Sequence, residues 1–391
     1  MEAPRSLFNF GFVTLNILVL FAFSNLAVFF SFYDFLNQLP IPPQWHGLLI
    51  GVFAVSALIL RPIISARLTS FNALWAVALG LGLTVVALLL YAHVESLLPL
   101  LLLRLLHGAA YVIVMSASVT LLMVFMPPEK SGQGFGIITI MTLLPYAVVP
   151  YFLENVLAAV PQASIYTYTA LLMVPPAFLL IPLSKIMRSM DFGPSEAATG
   201  TASGNMWDNL RQPKVLMLLI ANGLVFSVFS SMFFFLKTFT TMYGLGDPGF
   251  FFMVATGVMI ATRIVFGPLF DRFDKAVLAA GSLLLFALGV FMISVMESLV
   301  VFYAAAVVYG VGVGSATPLM NGLMFSISQP RFRGLNTNLM LEMIDAGFFV
   351  GPALCGLALA GGLGPAPILG VGVALLILSA ALMALLKNSK L

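Results

Sequence analysis

Twelve long apolar runs divide this 391-residue chain, and they constrain its fold more than any other feature. Each run is close to the roughly 20 apolar residues that a helix needs to cross a bilayer. The runs are continuous rather than alternating, which favours helices over barrel strands. They fall at about 12–35, 46–67, 72–93, 97–125, 133–156, 164–187, 214–240, 248–270, 275–296, 299–326, 335–360 and 366–387. The sequence therefore predicts an all-α polytopic membrane protein with twelve transmembrane helices.

Composition excludes several other classes of protein. Hydrophobic residues make up 61% of the chain and charged residues 8%, against a charged share of about 25% in soluble domains. So few charges exclude a soluble enzyme, a nucleic-acid-binding protein and a disordered chain. The sequence has no phosphate-binding Gly-Lys-Ser/Thr loop, which argues against an ATP-driven pump. The three histidines and the single cysteine, Cys355, are spread over different runs, so we expect no metal site, cofactor or catalytic residue.

The chain divides into two similar halves. The one extended polar stretch, 190–214, is rich in Gly, Ser, Thr and Ala, as a linker would be. We therefore expect an N-terminal six-helix bundle in 1–190, a cytoplasmic linker in 191–212 and a C-terminal six-helix bundle in 213–391. An offset of 202 residues aligns Arg61 with Arg263 and Pro150 with Pro352. Each half contains six spans, an even number, so both halves enter the membrane from the same side. The repeat is therefore parallel and pseudo-symmetric.

The basic residues predict the orientation of the chain. With a cytoplasmic N-terminus, all 17 Lys and Arg residues except Arg104 and Lys237 fall on the inner side. Such a bias is typical of cytoplasmic loops. We therefore expect a multi-pass protein of the bacterial inner membrane with both termini in the cytoplasm.

Two motifs carry a resemblance to a known family. The segment between the eighth and ninth runs reads Arg263-Ile-Val-Phe-Gly267-Pro-Leu-Phe-Asp271-Arg272, and the fourth run contains Arg104-Leu-Leu-His107-Gly108. They resemble motifs A and B of the major facilitator superfamily, and the resemblance extends over essentially the whole chain, closest to its drug and metabolite exporters. It implies a secondary transporter whose two bundles rock around a central site, with gating by Arg263, Gly267, Asp271 and Arg272.

The chain also departs from the family pattern in its first half. Thr69 and Ser70 stand where Asp271 and Arg272 stand in the second half, which predicts an asymmetric latch. In the fifth run, Val149-Pro150 replaces the Gly-Pro of exporters, and this weakens an exporter assignment.

Three acidic residues are candidates for proton coupling. Glu342 and Asp345 lie in the eleventh run and, being three residues apart, share one helix face. Asp34 lies in the first run. Ionisable residues within hydrocarbon are functional candidates by default, and coupling requires a carboxyl group that takes a proton from one side and releases it to the other. A carboxyl group hydrogen-bonded structurally within a bundle is the alternative.

The fourth run supplies the first candidate substrate contacts. Arg104 keeps its charge at any relevant pH, so it needs a carboxylate, carbonyl groups or an anionic substrate. His107 could relay a proton or accept a hydrogen bond, although satisfied interior histidines are common. The repeat places Tyr309 at the depth of His107, where its hydroxyl could reach the same cavity.

Further candidate contacts lie in the first and seventh runs. Asn25 and Ser227 are repeat partners near mid-depth and could bind substrate or join helices by hydrogen bonds. Lys237 occupies nearly the place that Asp34 has in the first half. These two could form a salt bridge that closes the outer mouth, or both could be solvated at the interface.

The leading hypothesis is a proton-coupled secondary active transporter that exports a small organic or amphipathic solute by alternating access. The phenylalanine-rich first and seventh runs fit such a solute. Proton-coupled uptake of an organic anion is the alternative, with Arg104, His107 and Lys237 as the positive groups. A transporter-like receptor or lipid translocator is more remote. We expect the partners to be the solute, protons and membrane lipid, with no nucleic acid, and the protein to function as a monomer rather than as an enzyme.

Overall fold

A computed structural model of the chain describes residues 6–157, 160–190, 209–267 and 273–388. Within these ranges the structure is helical and contains no strand. Among the described residues, twelve helices are long and apolar enough to cross a membrane, which confirms the predicted fold class. In chain order, α1 to α12 are Phe10–Asn37, Pro43–Arg67, Ala73–Leu90, Leu97–Phe125, Gln133–Asn155, Gln162–Ser189, Pro213–Tyr243, Pro248–Phe266, Lys275–Ser294, Leu299–Ile327, Pro330–Ala360 and Pro365–Leu386.

Polar caps determine where several of these helices begin and end. The Asn9 side chain accepts a hydrogen bond from the Phe12 backbone N–H at 2.9 Å and starts α1. Asp247 starts α8 in the same way, through the backbone N–H of Phe250 at 3.0 Å. The helix α7 ends at Gly244, whose φ of 65° is left-handed and favours glycine. Such caps satisfy backbone groups that the helix itself leaves open.

Two spans are interrupted along their length. In α1, a 3₁₀ turn at Val28–Ser31 separates the helical segments Phe10–Ala27 and Phe32–Asn37. In α6, Leu179 separates the segments Gln162–Phe178 and Leu180–Ser189, and the pair Pro175-Pro176 lies just before this break. Proline removes a backbone donor and clashes with the preceding turn, which accounts for the second interruption.

The helices group into two compact units. One unit holds most of the first six helices, and the other contains the C-terminal half together with Ser31–Asn37 and Pro42–Ala54. The end of α1 and the start of α2 therefore pack as part of the second unit. The predicted linker at 191–212 falls largely on residues 191–208, which lie outside the described residues, so the predicted domain boundaries stay a prediction.

The start of α2 packs closely against the backbone of α11 within the second unit. A Cβ added at Gly47 would lie 2.9 Å from Gly356 Cα, and one at Gly51 would lie 3.1 Å from Phe349 Cα. Small residues of this kind let membrane helices approach closely. A side chain at either glycine would meet backbone atoms, which cannot rotate away.

Candidate functional site

A buried chain of hydrogen bonds joins α1, α4 and the end of α3 in the first unit. Arg104 is 1% exposed and His107, one turn further along α4, is 0% exposed. The Asn25 amide lies 3.0 Å from His107 Nε2, and the Tyr91 hydroxyl lies 3.2 Å from His107 Nδ1. Arg104 donates to the same hydroxyl at 3.4 Å. These four residues are here called the Asn25–Arg104 network. Three of them, all except Tyr91, are substrate contacts predicted from the sequence.

The donors in this network follow from the chemistry of its members. An amide NH₂ group can only donate, so His107 Nε2 accepts from Asn25. A neutral imidazole then carries its proton on Nδ1 and donates it to the Tyr91 oxygen. Burial raises the pKa of Tyr91, which opposes loss of the phenolic proton, although Arg104 acts in the opposite direction. The network therefore holds one charged group, Arg104, among neutral ones.

The Arg104 guanidinium lies over an aromatic ring that belongs to a small aromatic cluster. Its central carbon lies 4.7 Å from the centre of the Phe29 ring, a cation–π distance. Phe29 stacks on Tyr166 with ring centres 4.9 Å apart, and Tyr166 also contacts Tyr91 at 5.1 Å. Phe29 belongs to the phenylalanine-rich first run of the sequence, whereas no sequence motif pointed to Tyr91 or Tyr166. Helical side chains point toward the helix N-terminus, so Arg104 is expected to point toward the loop between α3 and α4. Tyr91 lies in that loop and could have been found in this way, whereas Phe29 and Tyr166 could not.

An ion pair joins α1 and α7 within the second unit. Lys237 Nζ lies 3.5 Å from Asp34 Oδ2, and both side chains are half-buried. Beside the pair, the rings of Tyr33 and Phe235 lie 4.9 Å apart. Of the two arrangements considered for Asp34 and Lys237, the structure has the salt bridge. Its role in gating, coupling or substrate binding stays a prediction.

One face of α11 combines two carboxyl groups with an aromatic cluster. Glu342, Asp345 and Phe348 are spaced by three residues and are half-buried. The Phe348 ring lies 6.0 Å from Phe229 of α7 and 6.4 Å from Phe226. Along α11, the two carboxyl groups therefore come just before an apolar surface that is formed by side chains of α7 and α11.

Glycines and serines hold α7 and α11 together at this point. Ser230 Oγ donates to the Gly347 carbonyl oxygen at 3.0 Å, and a Cβ at Gly347 would lie 2.7 Å from Phe226 Cβ. The predicted substrate contact Ser227 donates to the Gly223 carbonyl of its own helix at 2.8 Å. Its hydroxyl hydrogen is thus used within α7.

Tyr309 of α10 lies in an apolar environment, unlike its repeat partner His107. It is 0% exposed, and its ring packs against Phe286 and Phe251 with centres 4.8 and 5.6 Å away. Its hydroxyl has no hydrogen-bond partner among the described residues. A role of Tyr309 in substrate binding stays a prediction.

The predicted gating motif is described in part. Arg263 donates from Nε to the Gly314 carbonyl and from Nη2 to Thr317 Oγ1, both at 3.2 Å, and so joins α8 to α10. Gly267 follows the end of α8. Asp271 and Arg272 lie outside the described residues. Within those residues, no group of three or more His, Cys, Asp or Glu side chains could hold a metal ion.

Comparison with known proteins gives the family context of this geometry. The family model of the Major Facilitator Superfamily matches residues 12–352. The fold is similar to that of a bacterial homolog of the human lysosomal transporter Spinster, in an inward-facing and unoccupied conformation. That comparison has a TM-score of 0.73 and 14% identity, and it covers 97% of this chain and 96% of that one. It is also similar to the nucleoside transporter NupG, with a TM-score of 0.73 and 13% identity over 97% of this chain and 100% of that one. Among curated proteins, none matches the chain.

Proposed function

Because the chain belongs to the major facilitator superfamily, we propose that it is a proton-coupled secondary active transporter that exports a small organic or amphipathic solute by alternating access. The family and the twelve spanning helices make it a multi-pass membrane transporter. Proton coupling, export and the class of solute are the proposal. The bias of Lys and Arg residues further supports cytoplasmic termini in a bacterial inner membrane, and we propose that a monomer suffices.

The carboxyl face of α11 is the observation that carries the proposal. Glu342 and Asp345 are half-buried within a span and lie about two turns and one turn, respectively, before Phe348. An ionisable residue within a membrane span is energetically costly, and such residues are functional candidates by default. The carboxyl groups offer a reversible proton site, and the Phe348 cluster with α7 offers an apolar surface to an amphipathic solute.

The contacts of the positive groups favour export over uptake of an organic anion. Uptake would use Arg104, His107 and Lys237 to attract the anion. In the structure Arg104 and His107 both contact Tyr91, and Lys237 pairs with Asp34. An incoming anion would have to displace these partners.

Transport into proteoliposomes with an imposed pH gradient tests the proposal. The panel contains organic cations, organic anions and neutral amphiphiles. We expect at least one solute to move in a gradient-dependent way, and we expect Asp345→Asn to abolish that dependence while solute exchange remains. The matched control is Glu297→Gln, which removes an exposed carboxyl group from the segment between α9 and α10 and should leave transport unchanged.

The outcomes separate the three functional hypotheses. If no solute responds to the gradient, or if Asp345→Asn behaves as the parent protein, proton coupling is wrong. Gradient-driven accumulation of an anion, lost in Arg104→Ala, would establish the uptake alternative instead. Binding without exchange would indicate a receptor, and movement of labelled phospholipid without solute movement would indicate a lipid translocator.

A further inference from the structure

An apolar groove of about 530 Å³ lies between α3 and α6 in the first unit. An odd-numbered and an even-numbered span cross the membrane in opposite directions, so the start of α3 lies beside the end of α6. Val85 and Val174 therefore line one end of the groove, and Trp75 and Arg188 line the other. Apart from Ser184 and Arg188, the lining residues have aliphatic or aromatic side chains or are glycine. The groove thus has a long apolar wall and a cation at one end.

Glycine keeps the floor of this groove open. A Cβ added at Gly82 would meet no heavy atom within 4 Å. Two residues away, a Cβ added at Gly80 would lie 2.7 Å from Val114 Cγ2 of α4. The first glycine therefore leaves space in the groove, whereas the second lets α3 pack against α4.

The end of α6 has the character of a helix at a membrane interface. Its second segment, Leu180–Ser189, buries Leu183 and Met187 and exposes Lys185 and Arg188. Neither cation has an ion-pair partner among the described residues. Trp75 is 73% exposed at the same end. Exposed tryptophan and basic residues are typical of the level of lipid headgroups.

We propose that the groove binds an anionic phospholipid, with an acyl chain between α3 and α6 and the phosphate at Arg188. Its volume falls within the range of roughly 300–1,000 Å³ for small-molecule sites, and a guanidinium suits phosphate geometry. Charge complementarity selects a phospholipid, since the occupant must be apolar along the spans and anionic at one end. Basic residues at this level attract anionic lipids. The site is separate from the transport residues and does not depend on the solute.

Quenching of Trp75 fluorescence by brominated lipids tests this site. The chain contains three tryptophans, so a background with Trp45→Phe and Trp207→Phe leaves Trp75 as the only one. The protein is reconstituted in phosphatidylcholine vesicles that contain increasing fractions of dibrominated phosphatidylglycerol or dibrominated phosphatidylcholine. One basic contact predicts binding of phosphatidylglycerol about fivefold tighter than that of phosphatidylcholine.

Two substitutions separate the headgroup contact from the acyl-chain contact. Arg188→Gln should bring the ratio of the two lipids close to one while quenching by phosphatidylcholine remains. Gly82→Phe should reduce quenching by both lipids, because the ring fills the space above the glycine. Arg211→Gln, a charge loss at an exposed residue, and Gly281→Phe, a ring added to open space on α9, should leave both values unchanged.

Several results would overturn the proposal. Equal quenching of the parent protein by the two lipids would mean that Trp75 contacts only bulk lipid. Unchanged quenching in Gly82→Phe would mean that no acyl chain occupies the groove. If Gly82→Phe does not elute as a folded protein in size-exclusion chromatography, Gly82→Leu takes its place with the same expected direction.

Discussion

Substitution of Gly47 by alanine should force α2 and α11 apart. The added Cβ would lie 2.9 Å from Gly356 Cα and 3.1 Å from the Ala353 carbonyl oxygen, distances that folded proteins avoid at Cβ. Both partners are backbone atoms of α11, so no side chain can turn away. Only separation of the two helices relieves the contact.

The expected size of the effect follows from the cost of overpacking. An extra methyl group in a well-packed interior costs about 1–3 kcal/mol. Since every tenfold change in population is about 1.4 kcal/mol, the conformation with α2 and α11 apart gains about 5- to 150-fold. Alanine also favours the helix over glycine by about 0.5–1 kcal/mol. The substitution therefore weakens the contact without weakening α2 itself.

The only cysteine of the chain lies next to this contact. Cys355 precedes Gly356 on α11 and is 4% exposed. We expect N-ethylmaleimide to react with it through conformations in which α2 has moved away. In vesicles at constant pH, the labelling rate of Gly47→Ala should then rise about 5- to 150-fold, in line with the population change.

Controls separate helix separation from general loosening. Gly257→Ala on α8 adds a methyl group where no heavy atom lies within 4 Å, so its labelling rate should equal that of the parent. An unchanged rate in Gly47→Ala would refute the reasoning. A faster rate that depends on denaturant concentration as steeply as global unfolding does would refute it as well, because unfolding would then explain the exposure of Cys355.

The remaining predictions concern the ion pair, the buried histidine and the gating motif. Asp34→Asn and Lys237→Gln each remove the ion pair, so either should speed Cys355 labelling by up to about fivefold, the size expected for a half-buried pair. The double variant should label at the rate of the single variants. Additive effects would mean that the two residues do not act as a pair. His107→Phe should lower the free energy of unfolding by about 1–3 kcal/mol, because its buried amide and phenol partners lose a hydrogen bond; an unchanged melting temperature in detergent would count against this. Asp271→Asn should slow solute exchange while solute binding is retained, and equal exchange rates would speak against a gating role.

The twelve spans could be predicted from the sequence because apolar length is a property of the chain in one dimension. The predicted run 97–125 coincides with α4, Leu97–Phe125. Larger differences occur where polar residues lie inside a helix end. The eleventh run was expected to begin near residue 335, but the helix begins at Pro330. A spanning helix continues past the apolar run, because backbone hydrogen bonding does not require apolar side chains.

The neighbours of the candidate residues could not be predicted in the same way. Depth along a helix follows from residue number, whereas direction around it depends on which helices are adjacent. The repeat aligns His107 with Tyr309, yet His107 contacts an amide and a phenol while Tyr309 contacts phenylalanine rings. Shared register therefore does not imply a shared environment, since the spans around each position differ in sequence.

The helix α11 connects the proposed proton site to the contact with α2. Asp345 and Gly356 are eleven residues apart on this helix, or about 16 Å at the α-helical rise. Between them lies Pro352, which has no N–H to donate to the Phe348 carbonyl oxygen and so permits a bend. On one side of this point α11 is held to α7 by the Ser230 hydrogen bond, and beyond it Gly356 meets the backbone of α2. A bend at Pro352 would therefore move Gly356 relative to α2, and this is the contact that the labelling of Cys355 in Gly47→Ala follows.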